Sequence, residues 1–135
     1  MKNLIITMLL LSAFNCFGKW TNIPLNKIVE RSQIIVIGKL INVKTESKNK
    51  VDYGEGFISV QTVLKGKLDN KKKLKLIWSH PQGLSNRIDH ANKTKLGIWL
   101  LQIQKDGTVR ADYPRRYLPI DKRKEIEDLI KKEKQ

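Results

Sequence analysis

The chain has 135 residues, with 27 Lys and Arg against 13 Asp and Glu, a formal net charge of +14, and 40% hydrophobic residues. This length accommodates one small domain, and the apolar content argues against wholesale disorder, a collagen-like chain or several membrane spans. The sequence has no G-x-G-x-x-G, no G-K-[ST] phosphate loop, no C-x-x-C and no H-E-x-x-H. Because these are the common cofactor and metal signatures, we expect no cofactor, no metal and no enzymatic activity.

The first 18 residues indicate a secretory signal peptide. Lys2 supplies the positive start, an apolar run covers residues 4–14, and Gly18 is a small residue at the cleavage position. Cleavage there would leave a mature chain that begins at Lys19 and contains no cysteine. We therefore expect an exported protein, periplasmic or secreted, with no membrane span after cleavage. The alternatives are lipidation at Cys16, an uncleaved anchor or a buried N-terminal helix.

After the leader, the chain predicts a short helix, a long strand and a polar connection. Pro24 opens the helix, because proline at a first helical position loses nothing by lacking an N–H group. Residues 34–43 are rich in β-branched side chains and predict a strand that Gly38 bends. Residues 45–55 are polar, and we interpret them as a mobile connection to the next strand.

Four further strands and a second helix follow. Apolar side chains alternate with polar ones in the strands, and Asp106-Gly107 is a strong signal for a two-residue hairpin turn. These strands are predicted over residues 57–64, 73–78, 98–104 and 109–113. Asp121 can cap the last helix. The chain thus predicts a mainly β domain over residues 19–120 with the helix of residues 121–135 packed on it.

Residues 79–96, between the third and fourth strands, are the candidate functional segment. A loop of this length is uncommon in a compact domain unless it has a function, and it contains both histidines, His80 and His90. Neither a zinc-ligand spacing nor the geometry of a hydrolase triad with Ser85 is evident. We interpret the histidines as solvent-exposed residues. The alternative for the segment is a short helix over residues 84–91 that plugs one end of the sheet.

Three short stretches of the chain occur in a familiar order. They are Pro24-Leu25 with Glu30-Arg31-Ser32, then Ile35-Val36-Ile37-Gly38-Lys39, then Val60 to Val63-Leu64-Lys65-Gly66. Over residues 24–80 the chain resembles the N-terminal domain of the tissue inhibitors of metalloproteinases and the related netrin-type modules. The resemblance implies a five-stranded barrel of the oligonucleotide/oligosaccharide-binding (OB) type, which the predicted strand order also suits. Residues 96–101 and Tyr113-Pro114 are similar to exported bacterial proteins of this length.

The chain departs from the inhibitor family at its functional end. The resemblance implies inhibition through a mature N-terminal cysteine that chelates the zinc of the target protease and is locked by disulfides. The expected mature N-terminus here is Lys19, and no cysteine follows it, so that mechanism cannot be carried over. The fold alone is implied, and a fold does not assign a function.

The candidate binding surface is basic and aromatic. If the long loop folds beside the last hairpin, six basic side chains and two tyrosines form one surface suited to phosphate or carboxylate groups. They are Arg87, Lys93, Lys95, Arg110, Arg115 and Arg116, with Tyr113 and Tyr117. We expect a monomeric, non-enzymatic binding module for an anionic polymer, a lipid surface or an acidic envelope protein. The alternatives are a protease-inhibitor-like protein-binding module and an OB-like barrel that binds single-stranded nucleic acid. A further alternative is an enzyme whose site involves His80, His90 or Ser85.

Overall fold

The computed structural model of the chain describes residues 23–70, 72–82, 90–112 and 116–135. Two helices lie at the ends of this part of the chain, α1 (Leu25–Arg31) and α2 (Arg123–Glu133). The strands are β1 (Ile34–Lys48), β2 (Val51–Lys65), β3 (Lys73–Pro81), β4 (Gly97–Ile103), β5 (Val109–Arg110) and β6 (Tyr117–Pro119). Short 3-10 turns cover His90–Asn92 and Ile120–Lys122. The predicted mainly β chain with a C-terminal helix is confirmed.

Five of these strands form a ring. The order around it is β1-β2-β3-β5-β4, and β4 pairs again with β1. The pairings are antiparallel except for β3 and β5, which run parallel where Leu76 faces Val109. The added strand β6 pairs with β4. Every ring strand therefore has a partner on both sides for at least part of its length.

The first half of β1 is buried on both of its faces. On the ring's inner side, Val36 packs in a cluster that includes Trp99 and Leu101. On the outer side, Ile35 and Ile37 belong to a second cluster, completed by α1 and α2. Because the helices cover this outer side, a continuous apolar run replaces the alternation that a half-exposed strand would show.

The expected mobile connection over residues 45–55 is wrong, because these residues continue the two strands. β1 extends to Lys48, β2 starts at Val51, and these two residues are paired. Asn49 and Lys50 form the turn between them with φ angles of 52° and 62°. Two successive positive φ angles are the geometry of the tightest hairpin turns. The hairpin is polar on its exposed parts, so its sequence resembles a solvated loop.

Three smaller expectations meet the structure in different ways. Gly38 marks an irregularity in the β1–β2 register, and a side chain there would collide with the carbonyl of Ser59. Asp121 does not cap α2, because the preceding 3-10 turn places Lys122 at the cap and no side chain bonds there. The last predicted strand is shorter than expected, and β6 was not predicted.

Within the described ranges, none of the helices has the length and apolarity needed to cross a membrane.

Candidate functional site

The predicted basic surface is described only in part. Lys93, Lys95, Arg110, Arg116 and Tyr117 are described, whereas Arg87, Tyr113 and Arg115 lie outside the described residues. The leader with Cys16, and Ser85 of the considered triad, also lie outside them. The described five do not form one exposed surface.

Arg116 is a buried structural residue and not a surface cation. Only 5% of it is exposed, and its Nη1 donates hydrogen bonds to Ser32 Oγ and to Leu100 O, both at 3.1 Å. Burial lowers the pKa of Arg116, while the nearby Asp112 carboxylate acts in the opposite direction. This guanidinium therefore ties the end of α1 to β4, and we remove it from the predicted binding surface.

Lys93, Lys95 and Tyr117 do come together. The Lys93 Nζ lies 5.4 Å from the centre of the Tyr117 ring, and the Tyr117 hydroxyl donates a 2.9 Å hydrogen bond to Lys95 O. The other side of the tyrosine ring packs on Trp99, with 4.6 Å between ring centres. Burial raises the pKa of Tyr117. This tyrosine is thus held by the core, and only its lysine neighbours are fully exposed.

Both histidines are buried, so the expectation of solvent-exposed residues is wrong. His90 is 4% exposed, its Nε2 lies 2.8 Å from Ala111 O, and its ring packs edge-on against Trp78. His80 is 8% exposed, with Nε2 3.4 Å from the Asp52 carboxylate on the paired strand. Within the described residues, no three His, Cys, Asp or Glu side chains are grouped as a metal site would require.

The outward side of β1, β2 and β3 forms a continuous surface that neither α1 nor α2 covers, which we call the open face. Residues opposite each other in adjacent strands share a face, so the pairing of the three strands defines its rows. From the hairpin end the rows are Glu46–Tyr53–Ser79, Lys44–Glu55–Ile77, Ile41–Phe57–Lys75 and Lys39–Ser59–Lys73. At about 3.3 Å per residue, these rows span roughly 20 Å along the strands.

Charge and aromatic surface are combined on the open face. Its four lysines outnumber its two glutamates, and one of each is paired, with Lys75 Nζ 3.5 Å from Glu55 Oε2. Tyr53 is 46% exposed although it lies in the middle strand of the three. Phe57 on the same strand is partly exposed. An exposed aromatic ring on the same face as several lysines is an arrangement that proteins use to bind ligands.

The hairpin end of the open face contains a groove of about 730 Å³. Its walls include Lys44, Tyr53 and Ser79, and Arg110 of β5 borders it. Arg110 Nε donates a 2.7 Å hydrogen bond to Asp112, and its Nη2 lies 3.4 Å from Ser79 Oγ. The groove is recessed and has convergent polar groups, as small-ligand sites generally do.

Gly54 and Trp78 are also among the residues that line the groove. These two residues face each other across the β2–β3 ladder. A Cβ at position 54 would collide with the indole, so glycine is required for the close approach. This contact involves the core inside the ring, to which the Trp78 side chain belongs.

Sequence reasoning identified one groove residue, Arg110, and missed the rest. The available signal was the alternation of Tyr53, Glu55, Phe57 and Ser59, which places aromatic and polar side chains on one face of a strand. The predicted boundary between the connection of residues 45–55 and the strand of residues 57–64 falls within this pattern. The sequence prediction therefore does not identify the four residues as one face.

Comparison with known proteins gives no family for the chain. No protein-family model matches it, and no curated protein shows significant similarity to it.

Proposed function

We propose that the chain is an exported, non-enzymatic binding module that recognises an anionic polymer on the open face. The observation that carries the proposal is the combination, on three adjacent strands, of exposed Tyr53 and partly exposed Phe57 with Lys39, Lys44 and Lys73. Lysine ammonium groups attract a polyanion over a distance that depends on the ionic strength. Aromatic rings supply contact area and lose little conformational entropy on binding. The expected leader supports export.

We also propose that the ring is an OB-like barrel. The order β1-β2-β3-β5-β4 with a parallel β3–β5 contact supports this, as does the resemblance of residues 24–80 to the netrin-type modules. In barrels of this kind the face of strands 2 and 3 and the adjoining hairpin loop bind oligonucleotides and oligosaccharides. The open face has the corresponding position. This agreement favours the open face over the surface around Tyr117 as the binding site.

A salt titration of three double variants tests the proposal. Lys44→Ala/Lys73→Ala removes two charges from the open face, Lys93→Ala/Lys95→Ala removes two beside Tyr117, and Lys124→Ala/Lys131→Ala removes two from exposed positions of α2. All three have the same net charge. We expect the first variant to bind a single-stranded oligonucleotide or an acidic oligosaccharide at least tenfold more weakly than the other two.

The salt dependence gives a second readout of the same experiment. Each lost contact with a single strand should make the slope of log K against log salt shallower by about 0.7. Equal affinities and slopes in the three variants would mean that binding follows net charge alone, and the proposal would be wrong. A loss confined to Lys93→Ala/Lys95→Ala would place the site beside Tyr117 instead.

Single-stranded nucleic acid is the second candidate ligand. It is favoured by two aromatic side chains, Tyr53 and Phe57, on one face of the same strand within reach of the lysines. Base stacking on such rings is worth about 1–3 kcal/mol per base. A preference of the purified chain for the oligonucleotide over an acidic oligosaccharide of equal length would select this candidate.

A further inference from the structure

The groove at the hairpin end of the open face has a mixed lining rather than a purely basic one. Lys44 and Glu55 face each other across the β1–β2 ladder, and Glu46 faces Tyr53 one row further on. Arg110 approaches from β5 and is positioned by Asp112 and Ser79. Basic, acidic, hydroxyl and aromatic side chains thus converge on a single recess.

The acidic side chains of the groove disfavour some kinds of anionic ligand and favour others. A phosphodiester chain carries a charge on every unit, and placing it beside the exposed Glu46 would bring like charges together, whereas Glu55 is already paired with Lys75. The surface of an anionic membrane would meet the same repulsion and could not enter a recess. Carboxylates are, however, good acceptors for hydroxyl groups, and charge-assisted bonds of this kind are strong.

Tyr53, Lys44 and Arg110 are the other groups of the groove that a ligand can contact. The negative face of an aromatic ring favours contact with the slightly positive C–H groups of a ligand ring. The guanidinium of Arg110 and the ammonium of Lys44 suit isolated carboxylates. A ligand that fits all of these groups has C–H-bearing rings, several hydroxyls and a carboxylate on only some of its units.

We infer that the groove binds an acidic oligosaccharide, a chain of sugar rings that carry carboxylates, with one ring stacked on Tyr53. The inference rests on the proposed function and specifies its ligand. Glu46 and Glu55 accept hydrogen bonds from sugar hydroxyls, while Lys44 and Arg110 bind the sugar carboxylates. The lysines at the far end of the open face then contact the continuing chain.

Calorimetric titration of the purified full chain with three hexamers tests the inference. The probes are a hyaluronan hexamer, in which every second sugar carries a carboxylate, a maltose-type glucose hexamer, which is neutral, and a thymidylate hexanucleotide. We expect the acidic sugar to bind at least tenfold more tightly than either of the others. Tyr53→Ala should weaken its binding at least fivefold, whereas Val63→Ala, an exposed residue ten positions along the same strand, should leave it within twofold.

The Glu46→Gln variant tests whether the Glu46 carboxylate accepts hydrogen bonds from sugar hydroxyls or only repels anionic ligands. It adds one unit of net charge, as does the control Glu125→Gln on α2. If Glu46 accepts sugar hydroxyls, Glu46→Gln weakens binding of the acidic hexamer severalfold, although it lowers the repulsion. Tighter binding of both the sugar and the hexanucleotide by Glu46→Gln would overturn the inference.

The same titrations distinguish this inference from the proposed function. If the hexanucleotide binds best and its binding still falls in Lys44→Ala/Lys73→Ala, the sugar inference is wrong and the open face remains a polyanion site. If no hexamer binding depends on Lys44, Lys73 or Tyr53, both proposals fail.

Discussion

The ring has two outer sides that differ in what covers them. On the side of β1 and β4, the outward residues Ile35, Ile98 and Leu100 are fully buried beneath α1 and α2. On the open face, outward residues such as Tyr53 and Lys44 contact solvent. The same ring of strands therefore has one covered side and one solvent-exposed side.

The contrast occurs within a single strand. Residues 35–38 of β1 pair with both β2 and β4, whereas from Lys39 onwards the strand pairs with β2 alone. The doubly paired half is buried on both faces, and the singly paired half becomes exposed towards the hairpin. We expect stability to depend on the first half and binding to depend on the second.

The strongest test of this contrast compares the truncation of one side chain on each side of the ring. Leu100→Ala removes a fully buried side chain beneath the helices and should lower the free energy of unfolding by about 2–5 kcal/mol. Phe57→Ala on the open face should cost clearly less, because its ring is already partly exposed. Urea denaturation measures both. Equal losses would mean that the open face is as structural as the covered one.

A second, smaller effect is expected at Arg116. Arg116→Met keeps a long side chain but removes the hydrogen bonds to Ser32 and Leu100, which should cost about 1–3 kcal/mol. Affinity for an anionic polymer should stay within twofold of the unmodified chain, since the guanidinium is internal. Weaker binding with unchanged stability would restore Arg116 to the binding surface.

The sequence allowed the ring strands, both helices and the position of the Asp106-Gly107 turn to be predicted, because each has a strong local signal. The turn has three residues and not the two expected, since Gln104 N donates a hydrogen bond to Thr108 O. Gly107 indeed has a φ of 87°, which glycine adopts readily. The burial of Arg116, His80 and His90 could not be predicted, since it depends on which distant strands meet. The open face was missed because recognising it required the Asn49-Lys50 turn, whose lysine is unusual at a positive φ.

The smallest predicted effect concerns Tyr117 and high pH. Burial raises the pKa of Tyr117 above its ordinary value near 10, so the unfolded chain releases this proton at a lower pH than the folded chain. The contribution of Tyr117 to stability is therefore complete below about pH 10 and is lost as the pH rises further. Tyr117→Phe should lose less stability above pH 10 than the unmodified chain.

Denaturation of the two proteins at pH 8 and at pH 11 provides the measurement. At pH 8, Tyr117→Phe should be less stable by about 0.5–1.5 kcal/mol, because it lacks the hydrogen bond to Lys95 O. The difference between the proteins should become smaller at pH 11. A difference that stays the same at both values would show that ionisation of Tyr117 is not linked to folding.

The central claim is that the open face, and not the net charge of the chain, binds an anionic polymer. Its most direct test is the affinity of Lys44→Ala/Lys73→Ala and of Lys124→Ala/Lys131→Ala for the same acidic hexamer, measured across a range of salt. We predict at least tenfold weaker binding and a shallower salt slope for the first variant only. Identical affinities and slopes for the two variants would contradict the claim.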